Sequence, residues 1–379
     1  MVQPDGVSTL RGFTIGITGD RRADEQAELL GRRGALVVHG PMIETRPLAD
    51  SPELKLACDA LVATPPDVLV ATTGVGIRSW MEAADGLGVG DELRASLAGA
   101  EVLARSPKAA GALLTAGLPL HWQADGEQTR DVLEHLEHRD LHGVRVAVQR
   151  DGSTEARLAE ALAERGAVVV DVPIYRWTLP SDREPALKLL DALVDRRLDA
   201  ITVTSAPAID NLFAIAADRA DVAAVEAALA GDVLVACVGP VCAARAREAG
   251  VTRIVQPSRF RLGSMVRRLA DQLAAGRWAL TADGHHLEVQ GGLAVVDGQE
   301  VDLTRREQLV LARLRAAEGG VVAKAELARA WPAAIDPHVV EVTVGRLRTR
   351  LGAAAGAVVT VPRRGYRLSS PPRPAGAVT

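Results

Sequence analysis

The stretch FTIGITGDRRADEQAELLGRRGALVVHGPMIE, residues 13–44, decides the fold. A continuous apolar run leads into a Gly-Asp-Arg-Arg turn. An Ala/Leu/Glu/Arg-rich segment and a second apolar run follow. That is the order of a buried parallel strand, a helix and a second strand. The pattern returns as VRVAVQRDGSTEARLAEALAERGAVVVDVPIYR, residues 144–176. Two more pairs keep the spacing: PDVLVATTGVGIRSW (66–80) with LDAITVTSAPAIDNL (198–212), and AEVLARSPKAAGALLTAGL (100–118) with DVLVACVGPVCAARAREAG (232–250). The offset stays within 131 to 133 residues, too long for a solenoid repeat, so a large α/β unit is duplicated. Strands are expected at 13–18, 68–72, 102–104, 144–149, 200–204 and 233–238. Two similar lobes are expected to face each other across a cleft, a usual place for ligands.

Composition sets the frame around this repeat. A chain of 379 residues suggests two or three domains. With 48% hydrophobic and 24% charged residues it is a globular protein. Apolar runs break well before the ~18 residues of a membrane span, so no membrane association is expected. Met1-Val2-Gln3-Pro4-Asp5 lacks the pattern of a signal peptide. Cys58, Cys237 and Cys242 form no CxxC pair, which fits a reducing cytoplasm. Ten aromatic residues argue against a site built on stacked rings. Charge is uneven: residues 1–282 carry −7 and residues 283–370 carry +2, with +4 inside 336–367. An acidic body with a basic C-terminal module suits a nucleic-acid-binding appendage.

Six strand-to-helix turns are the expected seat of the chemistry, because ligands of open parallel sheets bind at the carboxyl ends of strands. The turns are Thr18-Gly19-Asp20-Arg21-Arg22, Thr72-Thr73-Gly74-Val75-Gly76, Arg105-Ser106-Pro107-Lys108, Arg150-Asp151-Gly152-Ser153-Thr154, Thr204-Ser205-Ala206-Pro207 and Gly239-Pro240-Val241-Cys242. Helix N-termini offer free N–H groups and partial positive charge to anions, and four of the turns add Arg or Lys. The inferred ligand is a small molecule with several carboxylates or phosphates. Candidate ligand-binding residues are Arg21, Arg22, Thr73, Gly74, Arg105, Ser106, Lys108, Arg150 and Gly239. Gly, Ser, Thr and Asp are also ordinary turn and cap residues, which is the competing reading of any single turn. His135-Leu136-Glu137-His138 reads as an exposed helix face rather than a metal site. Gly74-x-Gly76 lacks the third glycine of a dinucleotide site, and neither a nucleophile elbow nor a Walker A loop is present.

Residues 10–275 resemble uroporphyrinogen-III synthase. The resemblance is carried by VLVATTGVGIRSW, ARSPKAAGALLTAGL, VVVDVPIYRW, DAITVTSAPAIDNLF and VACVGPVCAARAREAG in their order and spacing. It implies an α/β fold of two flavodoxin-like lobes with parallel sheets, joined by a two-stranded connector. Lobe 1 would comprise 1–42 and 176–275, and lobe 2 residues 43–175. The family closes hydroxymethylbilane, an octacarboxylate, into uroporphyrinogen III with loss of water and inversion of one ring, using no metal or organic cofactor. The resemblance places Tyr175 at the cleft tyrosine, a candidate to assist departure of the hydroxyl. It places Ser205 at a small hydroxyl residue, Thr72 and Thr73 at the matching turn of the other lobe, and Cys242 where many members have Thr. A thiol is a weaker donor than a hydroxyl.

After residue 276 the pattern changes to short strands at 278–281, 286–289, 293–296 and 300–303. Thr304-Arg305-Arg306-Glu307 is a capping box opening a helix. A second helix is expected near 324–330. Asp336-Pro337 starts a third, on which Val340, Val344, Leu347 and Leu351 form one buried stripe. Thr343, Arg346 and Arg350 share one flank and Arg348 lies on the other. The run TVPRRGYRL (360–368) reads as a hairpin with two arginines at its tip. LTRREQLVLARL, VVAKAELARAW, VVEVTVGRLRTRL and TVPRRGYRL resemble the α+β winged helix of OmpR/PhoB-type response regulators, over about residues 283–369. The resemblance implies helix 336–351 in the major groove of double-stranded DNA and the hairpin at the minor groove. Thr343, Arg346, Arg348, Arg350, Arg363 and Arg364 are the DNA-binding candidates. Residues 370–379 read as a disordered tail.

Three functions compete: a regulator whose synthase-like lobes sense a ligand, an active synthase that also binds DNA, and an inert interaction platform. A winged helix has no evident use in a purely biosynthetic enzyme, which favours regulation. One such module gives limited affinity and paired half-sites are common, which points to a homodimer. Phosphorylation control is not expected, since Asp20 stands alone where receivers use an acidic pair.

Overall fold

The computed structural model describes residues 9–150, 152, 157–329, 331 and 336–374. The chain begins β1 (Thr14–Ile17), α1 (Ala23–Gly31), β2 (Leu36–His39) and β3 (Glu44–Pro47). It continues α2 (Pro52–Ala63), β4 (Val68–Ala71), α3 (Gly74–Gly86), α4 (Gly90–Ala98), β5 (Glu101–Ala104), α5 (Pro107–Thr115), β6 (Trp122–Gln123) and α6 (Thr129–His135). Next come β7 (Arg145–Arg150), α7 (Arg157–Glu164), β8 (Val168–Pro173), β9 (Tyr175–Thr178) and α8 (Glu184–Val194). Then follow β10 (Ala200–Val203), α9 (Pro207–Asp218), α10 (Val222–Ala230), β11 (Leu234–Cys237), α11 (Pro240–Glu248), β12 (Ile254–Val255) and α12 (Leu262–Ala274). Last are β13 (Trp278–Ala282), β14 (His285–Gln290), β15 (Leu293–Val296), β16 (Gln299–Asp302), α13 (Arg305–Ala316), α14 (Lys324–Ala328), α15 (Pro337–Leu351), β17 (Val358–Val361), β18 (Gly365–Leu368) and β19 (Arg373–Pro374).

Two five-stranded parallel sheets carry the duplicated region. One runs β12-β11-β10-β1-β2 and the other β6-β5-β4-β7-β8. Counted along the chain, the first is 2-1-3-4-5, the flavodoxin-like order, and the second is 3-2-1-4-5; the two coincide when β7 and β8 are matched to their repeat equivalents β1 and β2. The repeat explains the pairing. In lobe 1 the strands of the first repeat's opening segment sit beside those of the second repeat's later segments, and lobe 2 takes the complementary halves. Both sheet faces are covered, as the continuous apolar strands require. In β4, Leu69 and Ala71 enter one core with Trp80 and Leu113, while Val68 and Val70 enter another with Leu136 and Leu162. Lobe 1 packs Ile15, Ile17, Leu30 and Leu269.

The chain divides into two compact units, Glu44–Thr178 and the remainder. β3 pairs antiparallel with β9 inside the Glu44–Thr178 unit, so residues 176–178, expected in lobe 1, lie with lobe 2. Among the described residues no helix is long and apolar enough to cross a membrane.

Among the described residues the C-terminal region has an antiparallel sheet, β16-β15-β14-β13-β19, three α-helices, a short 3-10 helix over Gly352–Ala357 and the β17–β18 hairpin. Its core holds Trp278, Leu311, Val340, Val344, Leu347, Leu351 and Tyr366. The Thr304–Glu307 capping box forms, and Asp336 caps α15 by accepting from His338 N. The tail begins later than expected: Arg373–Pro374 pairs with Trp278–Ala279, and 375–379 lie outside the described residues.

Candidate functional site

In lobe 2 the turns are held by their own side chains. Gln149 is fully buried, and its Oε1 accepts from Thr72 N at 3.2 Å and Thr73 N at 3.0 Å. Thr72, expected to be catalytic, donates its hydroxyl to Gln149 O at 2.7 Å and is itself buried. Thr73 caps α3 by accepting from Gly76 N, and its Oγ1 lies 3.3 Å from Tyr175 Oη. Gly76 is demanded by this arrangement, since a Cβ there would overlap the Gln149 amide. Gly74 packs against the Lys108 backbone rather than facing an open turn. Ser106 caps α5, and Arg105 donates to Thr129 Oγ1. Lys108 is exposed. Arg150 pairs with Asp171 at 3.3 Å, and burial pushes the Asp171 carboxyl above the usual carboxylate range despite that pairing. Gly152 lies against the Tyr175 and Trp177 rings. Asp151, Ser153 and Thr154 fall outside the described residues.

Lobe 1 differs. Among the described residues, α1, α9, α11 and α12, which follow its strands, have no side-chain cap on their first turns. Ser205 Oγ is buried without a hydrogen-bond partner among the described residues. Gly239, extended at φ −161°, opens α11 under the Phe260 ring. Arg22 takes a left-handed conformation, and its guanidinium is held by Glu25 at 2.6 and 2.7 Å. Arg21 is exposed, with no side-chain partner among the described residues. Cys242, expected to be catalytic, is a core residue of α11. Burial pushes its thiol, and that of Cys237, up to about 12.

On α15, Val342, Gly345, Arg346 and Thr349 form one exposed stripe that lines an open groove with Arg350. Among the described residues the Arg346 side chain has no hydrogen-bond or ion-pair partner, and the same holds for the side chains of Arg363 and Arg364 at the hairpin tip. The other three candidates are occupied. Thr343 is buried and bonds Val339 O at 2.8 Å, which corrects its expected place on the exposed flank. Arg348 donates to Val358 O and Thr360 Oγ1 and lies over the Tyr366 ring. Arg350 pairs with the buried Glu307 at 3.1 Å and donates to Asp302 O. The hairpin rests on the body because Gly365, at φ 136°, lets its backbone reach Val322, where any Cβ would overlap the carbonyl.

Three features escaped the sequence reading. Gln149 was visible as a lone polar residue in an apolar strand. Arg259, Phe260 and Arg261 form a fourth strand-to-helix turn of lobe 1, after a strand of two residues that is too short to show a period. Val342, Gly345 and Thr349 complete the stripe that Arg346 alone had marked.

Comparison with known proteins matches both regions. Residues 24–267 fit the family model for uroporphyrinogen-III synthase HemD, and residues 298–368 fit that for the C-terminal domain of transcriptional regulatory proteins. The crystal structure of a mutant uroporphyrinogen III synthase from the extremely thermophilic bacterium Thermus thermophilus is 35% identical, covers 69% of this chain and 99% of its own, and has a TM-score of 0.57. The uncharacterized protein YjjA of Bacillus subtilis (strain 168) is 28% identical over 264 residues, 69% of this chain and 96% of its own. The transcriptional regulatory protein CutR of Streptomyces coelicolor is 45% identical over 75 residues, 19% of this chain and 34% of CutR.

Proposed function

The chain belongs to the uroporphyrinogen-III synthase family through residues 24–267 and carries an OmpR/PhoB-type C-terminal domain over residues 298–368, and from that premise we propose a DNA-binding transcriptional regulator whose synthase-family body binds a multiply anionic, tetrapyrrole-like ligand. The observation that carries the DNA half is the set of exposed arginines without partners among the described residues: Arg346 on the α15 stripe, and Arg363 and Arg364 at the hairpin tip. Arg346 suits a guanine edge or a phosphate, and Val342 a thymine methyl. The hairpin arginines suit a narrow minor groove. A homodimer on half-sites about one helical turn apart would give the module adequate affinity.

The ligand half is supported by lobe 1. The starts of α1, α11 and α12, which no side chain caps among the described residues, together with Arg21, Arg259 and Arg261 suit several carboxylates at once. An arginine pointing at solvent gains little from a surface acid, but more from a multivalent anion also held by backbone N–H groups.

The test is retardation of a duplex that the parent protein enriches from a random-sequence pool. Arg346→Ala combined with Arg363→Ala and Arg364→Ala should abolish specific retardation. Retained specificity would remove this interface.

A second reading, an active synthase that also binds DNA, is favoured by the Tyr175–Thr73 contact. It predicts that fresh hydroxymethylbilane yields an excess of type III uroporphyrin after oxidation, and that Tyr175→Phe reduces the excess. Spontaneous type I product alone would leave the body as a sensor.

A further inference from the structure

The winged helix is bolted to lobe 1 within one compact unit. Leu10 is fully buried in the lobe 1 core, and the next residues run into the β14–β15 turn. Gly12 O accepts from Gly292 N at 2.6 Å, and Gln290 Nε2 donates to Arg11 O at 2.9 Å. Arg11 pairs with Glu300, and Arg315 donates to Gly276 O. At the centre, Asp199 stands one residue before β10. Its Oδ2 accepts from Thr14 N at 2.8 Å, while its Oδ1 pairs with Arg305 at 3.4 Å.

Arg305 opens α13, and two residues later on the same turn stands Glu307. Residues i and i+2 point to opposite sides of a helix. One side therefore holds lobe 1 through Asp199, and the other holds α15 through Arg350. Glu307 also accepts from Thr304 N at 2.7 Å, so the turn that carries both links is itself closed by a capping box. β10, which follows Asp199, ends two residues before Ser205.

We propose that the first turn of α13 couples lobe 1 to the DNA-contacting helix, so that the Asp199–Arg305 link sets how firmly Arg350 and α15 are held. A packed turn with two fixed anchors transmits a small displacement because it cannot deform continuously. Its use in sensing rests on the reading that lobe 1 takes the anion, but the link itself acts without ligand.

The experiment therefore uses the full chain with no ligand added. Hydrogen exchange of peptides spanning 337–351 and affinity for the enriched duplex are measured in the parent, Arg305→Gln and Asp199→Asn proteins. Asp199→Asn breaks the same link while keeping an acceptor for Thr14 N–H. Arg305→Lys retains the charge. Expected are faster exchange in α15 and an affinity loss of at least about fivefold, the low end of ordinary coupling, with partial recovery in Arg305→Lys. Parent-like α15 exchange and affinity in a folded variant would overturn the coupling. A chain that keeps this link yet ignores added uroporphyrin would instead count against ligand sensing alone.

Discussion

Lobe 1 and lobe 2 share one sheet order and arise from one duplicated sequence, yet they finish their strand-to-helix turns in opposite ways. At the turns after β4 and β5, lobe 2 satisfies its own helix starts: Thr73 caps α3, Ser106 caps α5, and Gln149 holds the turn at Thr72 and Thr73 from below. Lobe 1 leaves the starts of α1, α9, α11 and α12 without side-chain caps, and Ser205 Oγ without a partner among the described residues. A side-chain cap typically contributes about 1 kcal/mol, so the open turns of lobe 1 forgo stability that a bound anion would restore. The fold alone does not make the site. What is left unpaired at the ends of the strands is where the two lobes differ.

The contrast is broken most strongly at the glycines. Gly76→Ala drives a methyl into the Gln149 amide and should destabilise lobe 2 by about 1–3 kcal/mol, the usual cost of overpacking. Gly239→Ala meets Phe260 at ordinary contact distance in extended backbone and should stay within about 0.5 kcal/mol. Urea unfolding midpoints of the two variants check this, and equal losses would contradict the difference between the lobes.

Next in size is ligand binding. Arg259→Ala with Arg261→Ala should weaken uroporphyrin binding about tenfold, roughly one charge-assisted hydrogen bond. Arg22→Ala should weaken it less, because Glu25 already engages that guanidinium. Fluorescence titration reads both, and a larger loss for Arg22→Ala would move the site.

The caps sharpen the comparison further. Thr73→Ala and Ser106→Ala should each cost about 1 kcal/mol of stability. Ser205→Ala should leave the unfolding midpoint unchanged and lower only uroporphyrin affinity. A midpoint loss at Ser205 equal to those at the caps would assign it a structural role.

The smallest effect is expected at the thiols. Cys237 and Cys242 are held protonated by burial, with pKa values pushed to about 12, and Cys58 is also raised. Their contribution to stability is fully present below the ordinary thiol range and is lost as pH rises toward 12. An alkylating reagent at pH 8 should label none of the three in the folded protein and all three after unfolding. Rapid native labelling of Cys242 would reopen its candidacy as an exposed turn residue.

Much of the fold was legible because buried parallel strands write themselves as continuous apolar runs. The strands expected at 13–18, 68–72 and 200–204 formed within a residue of their limits. Helix α15 was legible from one stripe, Val340 to Leu351, and one cap, Asp336. The site was less so, since a sequence lists cations but not their partners. Arg150, Arg348 and Arg350 looked as available as Arg346, until Asp171, Val358 O and Glu307 were found holding them. Thr343 and Thr72 turned inward for a related reason: a hydroxyl can satisfy itself on a nearby carbonyl. The Arg259–Arg261 turn was hidden because β12 has two residues and no period.

The central claim is that one chain joins anion binding on a synthase-family body to DNA binding on a winged helix. The most direct test is the affinity of the full chain for its enriched duplex, at fixed salt, with and without saturating uroporphyrin III. The account predicts a shift of at least about fivefold, abolished by Arg259→Ala with Arg261→Ala. Uroporphyrin that binds while leaving duplex affinity unchanged would contradict it.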